Sequence, residues 1–242
     1  MEKTAINAFY LPAGDYLVLA ALWGLDELQS LFRIRQEPLT EQEVYYALHH
    51  LVQRNIINEN RELCGPYKEV FERIFSADKI WMLYRRDPDG GPVCCYPGDR
   101  VVITEASGTD RNALRMRVTS PADYADELLE IGQFPAGELD EVETPFPESA
   151  LIGRLARSRA FTEEKILEPE WDEAVRSVME EYDLRSKRVV RRLIWFEYMA
   201  GDWILEISEE GTEVSSFDKE KVKRILGKAK SRPDAEKVGD AE

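Results

Sequence analysis

Apolar and polar positions along the chain alternate with two periods, one helical and one extended. Over residues 15–31, Leu17, Ala20, Ala21 and Leu25 fall on one helical face and Leu28 continues it, which predicts a helix broken at Gly24. Thr40 followed by Glu43 is a capping box. Behind it Val44, Leu48, Leu51 and Val52 stand at i, i+4, i+7 and i+8, so residues 41–54 read as a helix. Pro66 opens another, with Val70 and Ile74 inward. AINAFYLP (5–12) reads as a short strand, and KIWMLYRR (79–86), RVVITEAS (100–107) and ALRMRVT (113–119) as three longer ones. Ser120 and Pro121 then start a helix that stops at Gly132.

The second half is expected to repeat this order. A helical segment covers 148–160, and the spacing of Trp171, Val175, Val178 and Tyr182 predicts a longer helix over 169–186. Strands follow at 191–200, 203–208 and 212–217, with turns at Gly201-Asp202 and EEGT. Asp218 or Ser216 caps a last helix, 218–229. Each half then reads helix–β–β–β–helix. Two such units joined edge to edge give an α+β fold with a central, largely antiparallel sheet and a pseudo-twofold duplication. The expected boundaries are 1–135 for the first half and 136–148 for a Pro- and acid-rich linker. The second half takes 149–230, and 231–242 is a solvated, disordered tail.

Composition narrows the partners. Among 242 residues 43% are apolar, enough for a substantial core, and 47 acidic against 32 basic residues leave a net charge of −15. That charge repels nucleic-acid backbones and anionic membranes, and argues against both as the main partner. The longest apolar run, YLVLAALWGL (16–25), is too short to span a bilayer, and no basic segment followed by an apolar run opens the chain. Three cysteines give no disulfide framework, so a cytoplasmic protein is expected.

The stretch that looks most like chemistry is RRDPDGGPVCCYPGDR, residues 85–100. Its adjacent Cys94 and Cys95 point to opposite faces if extended, and Cys64 is distant. His49 and His50, the chain's two histidines, stand about 100° apart on a helix. No metal set is expected from these. DPDGGP lacks a P-loop lysine, opens no helix, and places Asp87 and Asp89 where a phosphate would sit. Neither G-x-S-x-G nor H-E-x-x-H occurs, and no catalytic residue or cofactor is assigned. The stretch reads as a connection of about a dozen residues in which Val93 and Tyr96 can present apolar surface. A partner-contacting loop and a plain solvent loop both fit it. LTEQEVYYALHHLVQRNIINENRE (39–62) resembles the helix-and-wing segment of winged-helix proteins. Its helix opposes Glu41 and Glu43 to any phosphate and offers Arg54 alone, so it reads as a packing unit.

Four stretches together resemble the EspG proteins, cytosolic chaperones of type VII (ESX) secretion: LVLAALWGLDEL (17–28), ALHHLVQRNII (47–57), the helix leading into KIWMLYRR, and LLEIGQFP (128–135). The pattern spans residues 5–230 and departs where Asn55 replaces the family's usual glycine at a helix end. The resemblance implies a central sheet flanked by two helical bundles. It implies a non-enzymatic adaptor that covers the apolar tip of a helical secreted protein, a PE–PPE-like pair or a WXG100/LXG-type protein, until export. By the same likeness the loop 87–98 and the helical region 149–187 touch the partner. The residues expected to do so are Pro88, Val93 and Tyr96 in the loop, and Leu151, Leu155 and Phe161 in the helical region. A homodimer is compatible with this reading. The alternatives are an acidic immunity protein that masks a toxin's basic site, or a winged-helix regulator.

Overall fold

The computed structural model describes residues 8–24, 39–86, 92–106, 113–135, 145–157 and 172–227. Strand β1 (Ala8–Pro12) runs into helix α1 (Ala13–Leu22), followed by α2 (Glu41–Gln53). A 3-10 turn, Gly65–Tyr67, precedes α3 (Lys68–Phe75). Then come β2 (Lys79–Arg85), β3 (Val93–Tyr96), β4 (Val101–Ala106), β5 (Ala113–Thr119) and α4 (Tyr124–Ile131). The second half contains α5 (Ser149–Leu155), β6 (Val175–Asp183), β7 (Arg188–Tyr198), β8 (Gly201–Ser208), β9 (Gly211–Ser216) and α6 (Lys219–Gly227).

The nine strands form one sheet in the order β1-β5-β4-β3-β2-β6-β7-β8-β9. Every neighbouring pair is antiparallel. Each half supplies a four-stranded meander, β2–β5 and β6–β9. The two meet where β2 lies along β6, from Lys79↔Asp183 to Arg85↔Ser177. The expected α+β fold with a largely antiparallel sheet is therefore present.

Strand alternation sends side chains to two faces. Ile80, Met82, Tyr84, Cys94, Tyr96, Ile194, Phe196 and Leu205 form the first core with residues of α1, α2, α3 and α5. Trp81, Leu83, Val93, Cys95, Ile103, Leu193, Trp195 and Ile204 form the second, beneath α4 and α6. Helices thus cover both faces. Burying each large side chain contributes about 1.5–3 kcal/mol, which sets the scale of what holds the sheet together. α4 and α6, one from each half, are tied by Tyr124 Oη donating to the Leu226 carbonyl (2.5 Å) and by Lys219 and Lys223 on Asp126 (2.9 and 2.8 Å).

Local signals explain the element ends. The Thr40–Glu43 capping box forms in both directions. Asn55, in the family's glycine position, takes φ 56°, a left-handed conformation that asparagine tolerates better than most residues. Gly24 takes φ 69° just past α1, two residues after the helix ends. After α4 the chain turns at Gly132, where a Cβ would lie 2.5 Å from the Phe134 ring. Phe134 then stacks on Trp195 and Phe217 of the second half, with ring centroids 5.1 and 6.0 Å apart. The Ser177 hydroxyl donates to the Gly132 carbonyl at 2.7 Å. The LLEIGQFP stretch is thus a clasp between the halves. Asp218, not Ser216, caps α6, accepting from the backbone of Glu220 and Lys221.

Three sequence expectations are corrected. The helix expected over 169–186 is strand β6 from Val175 on. A bulge between Val175 and Ser177 puts Val175 and Val178 on the same face despite their helical i, i+3 spacing. The connection expected over 87–98 contains strand β3, and with β6 in the second half each meander has four strands and not three. The turn expected at Gly201-Asp202 is the Met199-Ala200 pair, with φ 48° and 63°. Pro88, Phe161, Trp171, Leu25, Leu28, linker residues 136–144 and the tail 231–242 lie outside the described residues.

Candidate functional site

The strand registers gather several segments at one end of the sheet. β2 exits at Arg85 beside Ser177, near the start of β6. Val175 of β6 faces Phe196 late in β7, and Phe196 faces Trp203 early in β8. The β7–β8 turn at Met199 and the departure of the β2–β3 connection therefore share that end. The Arg86 guanidinium joins the two meanders there, donating to the carbonyls of Glu173 and Val175 (3.3 Å to the latter).

α5 is fastened at the same end. Its Arg154 Nε bonds Asp172 at 3.0 Å, just before β6. Phe146, three residues ahead of the helix, stands edge-on to Trp203 with centroids 5.5 Å apart. Phe146 remains 62% exposed and Met199 60% exposed, the apolar surface of this end. Around them lies the Arg176–Glu197 ion pair (2.5 Å). The Arg176 hydrogen bond holds the Glu197 carboxyl below its ordinary range.

The residues expected to meet a partner sit differently. Val93 and Tyr96 are fully buried in β3, on opposite faces of the sheet. Leu151 and Leu155 are the inward side of α5, 7% and 0% exposed. None of the four presents surface: a four-residue central strand buried on both faces leaves neither Val93 nor Tyr96 free, and Leu151 and Leu155 pack into the first core. They position the end without forming its outer skin. The sequence pattern does not single out Phe146 or Met199: Phe146 lies in a Pro-Phe-Pro stretch that reads as linker, and Met199 at the end of a segment that reads as strand. Two large apolar residues in turn-like sequence were the available signal.

Neither adjacent thiol is built for reactivity: burial pushes Cys94 up to about 12 and Cys95 well above its ordinary value. No group of three metal-ligating side chains occurs among the described residues. A cleft of about 700 Å³ opens on the second face between β8–β9 and α6. Its charges neutralise one another, Arg191 with Glu206 at 3.3 Å and Lys221 with Glu213 at 2.6 Å. No described helix is long and apolar enough to cross a membrane.

The ion pair under α5 gives a pH dependence. The Arg154 hydrogen bond and the Ala174 backbone N–H hold the Asp172 carboxyl below its ordinary value. A depressed folded-state pKa adds stability that is full above the unfolded value, about 3.9, and is lost as pH falls through the folded one. The protection factors of residues 149–155, measured against the intrinsic exchange rate at each pH, are therefore expected to fall on acidification through that window. In Asp172→Asn they should already be low at neutral pH. Equal protection of α5 in the two proteins at pH 7 would show that the pair does not anchor the helix.

The antiparallel nine-stranded sheet with helices on both faces has a counterpart among solved structures. No protein-family model matches the chain, and no curated protein matches it. Among solved structures it is similar to EspG5 of Mycobacterium tuberculosis, a type VII secretion system chaperone solved in complex with the PE25–PPE41 dimer. The identity is 11% and the TM-score 0.50, over 92% of this chain and 95% of that one. The likeness is one of fold.

Proposed function

We propose that the chain is a cytoplasmic carrier that binds a helical secreted protein and keeps it soluble, acting by reversible binding and not by turnover. The partner class is a PE–PPE-like pair or a WXG100/LXG-type protein. The observation that carries the reading is the shared end of the sheet. There α5, the β7–β8 turn and the flanks of the β2–β3 connection converge, with Phe146 and Met199 outward. The nearly full-length likeness to a chaperone fold supports it. So does the net charge of −15, which keeps a carrier of sticky cargo in solution. The same reading takes the two meanders, each followed by a helix on the second face, as copies of one unit.

The physical logic is burial. An apolar helix tip left in water drives aggregation, and a specific contact that covers it removes on the order of 1,200–2,000 Å² of surface from water. Co-expression with a helical secreted protein of this class is expected to yield a soluble, stoichiometric complex. The reading fails if such proteins stay insoluble and unbound while the chain captures a nuclease-like toxin domain instead.

A further inference from the structure

The sheet has two edges, and they differ. On β1 the Tyr10 carbonyl accepts from the Arg54 guanidinium at 2.7 Å, so α2 reaches over that edge. Among the described residues β9 pairs with β8 alone. It has six residues, Gly-Thr-Glu-Val-Ser-Ser, with neither proline nor lysine to blunt it.

Which of its backbone groups point outward follows from the ladder. The Phe217 N–H donates to the Asp202 carbonyl at 2.9 Å, and the β8–β9 hairpin closes on Ser208↔Gly211 across two residues. Odd-numbered residues of β9 therefore bond to β8, and the N–H and C=O of Thr212, Val214 and Ser216 face out.

We propose that β9 pairs with β9 of a second copy of this chain, antiparallel about a twofold axis at Val214. This register sets Val214 against Val214 and Thr212 against Ser216, and each outward backbone group meets a complementary one. It sets Glu213 opposite Ser215 of the second copy. In each chain the Ser215 hydroxyl already accepts from the Lys221 ammonium (3.1 Å), so each Glu213 approaches the other copy's Lys221. The register centred one residue earlier would set Glu213 against Glu213, a like-charge pair that opposes it. The strand is thus self-complementary in hydrogen bonding, in side-chain face and in charge. The result is a continuous sheet across two molecules. The proposal is independent of the carrier reading.

Sedimentation of the full chain over a concentration series tests it. Half-association is expected at roughly 10–100 µM, as suits a contact at the small end of specific interfaces. Val214→Pro removes an N–H that points away from β8 and has no partner among the described residues, so it should leave the circular-dichroism spectrum unchanged while abolishing the dimer. Val214→Lys, which opposes two ammonium groups at the axis, should weaken association by at least about 10-fold. It is the variant to read if the proline disturbs folding. A wild-type chain that stays monomeric to about 300 µM overturns the proposal. So does a folded Val214→Pro or Val214→Lys chain that dimerises as tightly as wild type.

Discussion

Truncating Arg192 to alanine is expected to cost about 3–5 kcal/mol, a large part of the stability of a chain this size. Its Nε lies 2.6 Å from Glu180 Oε1, and Glu180 is fully buried near the middle of β6. Removing the guanidinium takes a hydrogen bond and a positive charge from a carboxylate buried in the first core, and the folded state is penalised by that loss. Replacing both partners together, Glu180→Leu with Arg192→Leu, should recover most of the loss, because two apolar side chains of similar volume need no counter-charge. Urea unfolding of the three variants at neutral pH decides the matter. A loss under about 1 kcal/mol for Arg192→Ala would mean that water already solvates the pair.

The second large effect concerns the partner. Phe146→Asp combined with Met199→Asp is expected to weaken binding of the helical partner at least about 100-fold, since central apolar anchors carry about 2 kcal/mol or more each. Met199 is largely in water, so its replacement should barely move the unfolding midpoint. Phe146 touches Trp203 and should cost somewhat more. Tyr45→Asp serves as the control, because Tyr45 is 68% exposed on α2, outside the rim. Isothermal titration with unchanged affinity for the double variant, or with equal losses for the control, would move the contact elsewhere.

Much of the fold was legible because local chemistry and packing agree. Thr40 with Glu43, Asp218, Gly132 and the alternation of Leu114 and Met116 each mark an element that the structure contains. β6 was not legible. Glu, Ala and Met favour helix, and the bulge at Arg176 gives a strand the spacing of a helix. Its two glutamates look like a solvated face until Arg192, Lys79 and Arg191 arrive from neighbouring strands. β3 was hidden for a different reason. Val-Cys-Cys-Tyr is buried on both sides, so it shows no alternation, and prolines bracket it at 92 and 97. The rim was the least readable part. Exposure of Phe146 and Met199 is set by where the sheet ends, a property of registers between distant strands that no local pattern encodes.

The central claim is that the end of the sheet carrying Phe146 and Met199 grips the partner. Hydrogen exchange of the chain, free and in complex, measures this directly. The account predicts added protection at residues 145–157 and 197–203 and beside Arg86, with α2 and α6 unchanged. Protection confined to α2, or to the cleft between β9 and α6, with the rim exchanging as in the free chain, would contradict it.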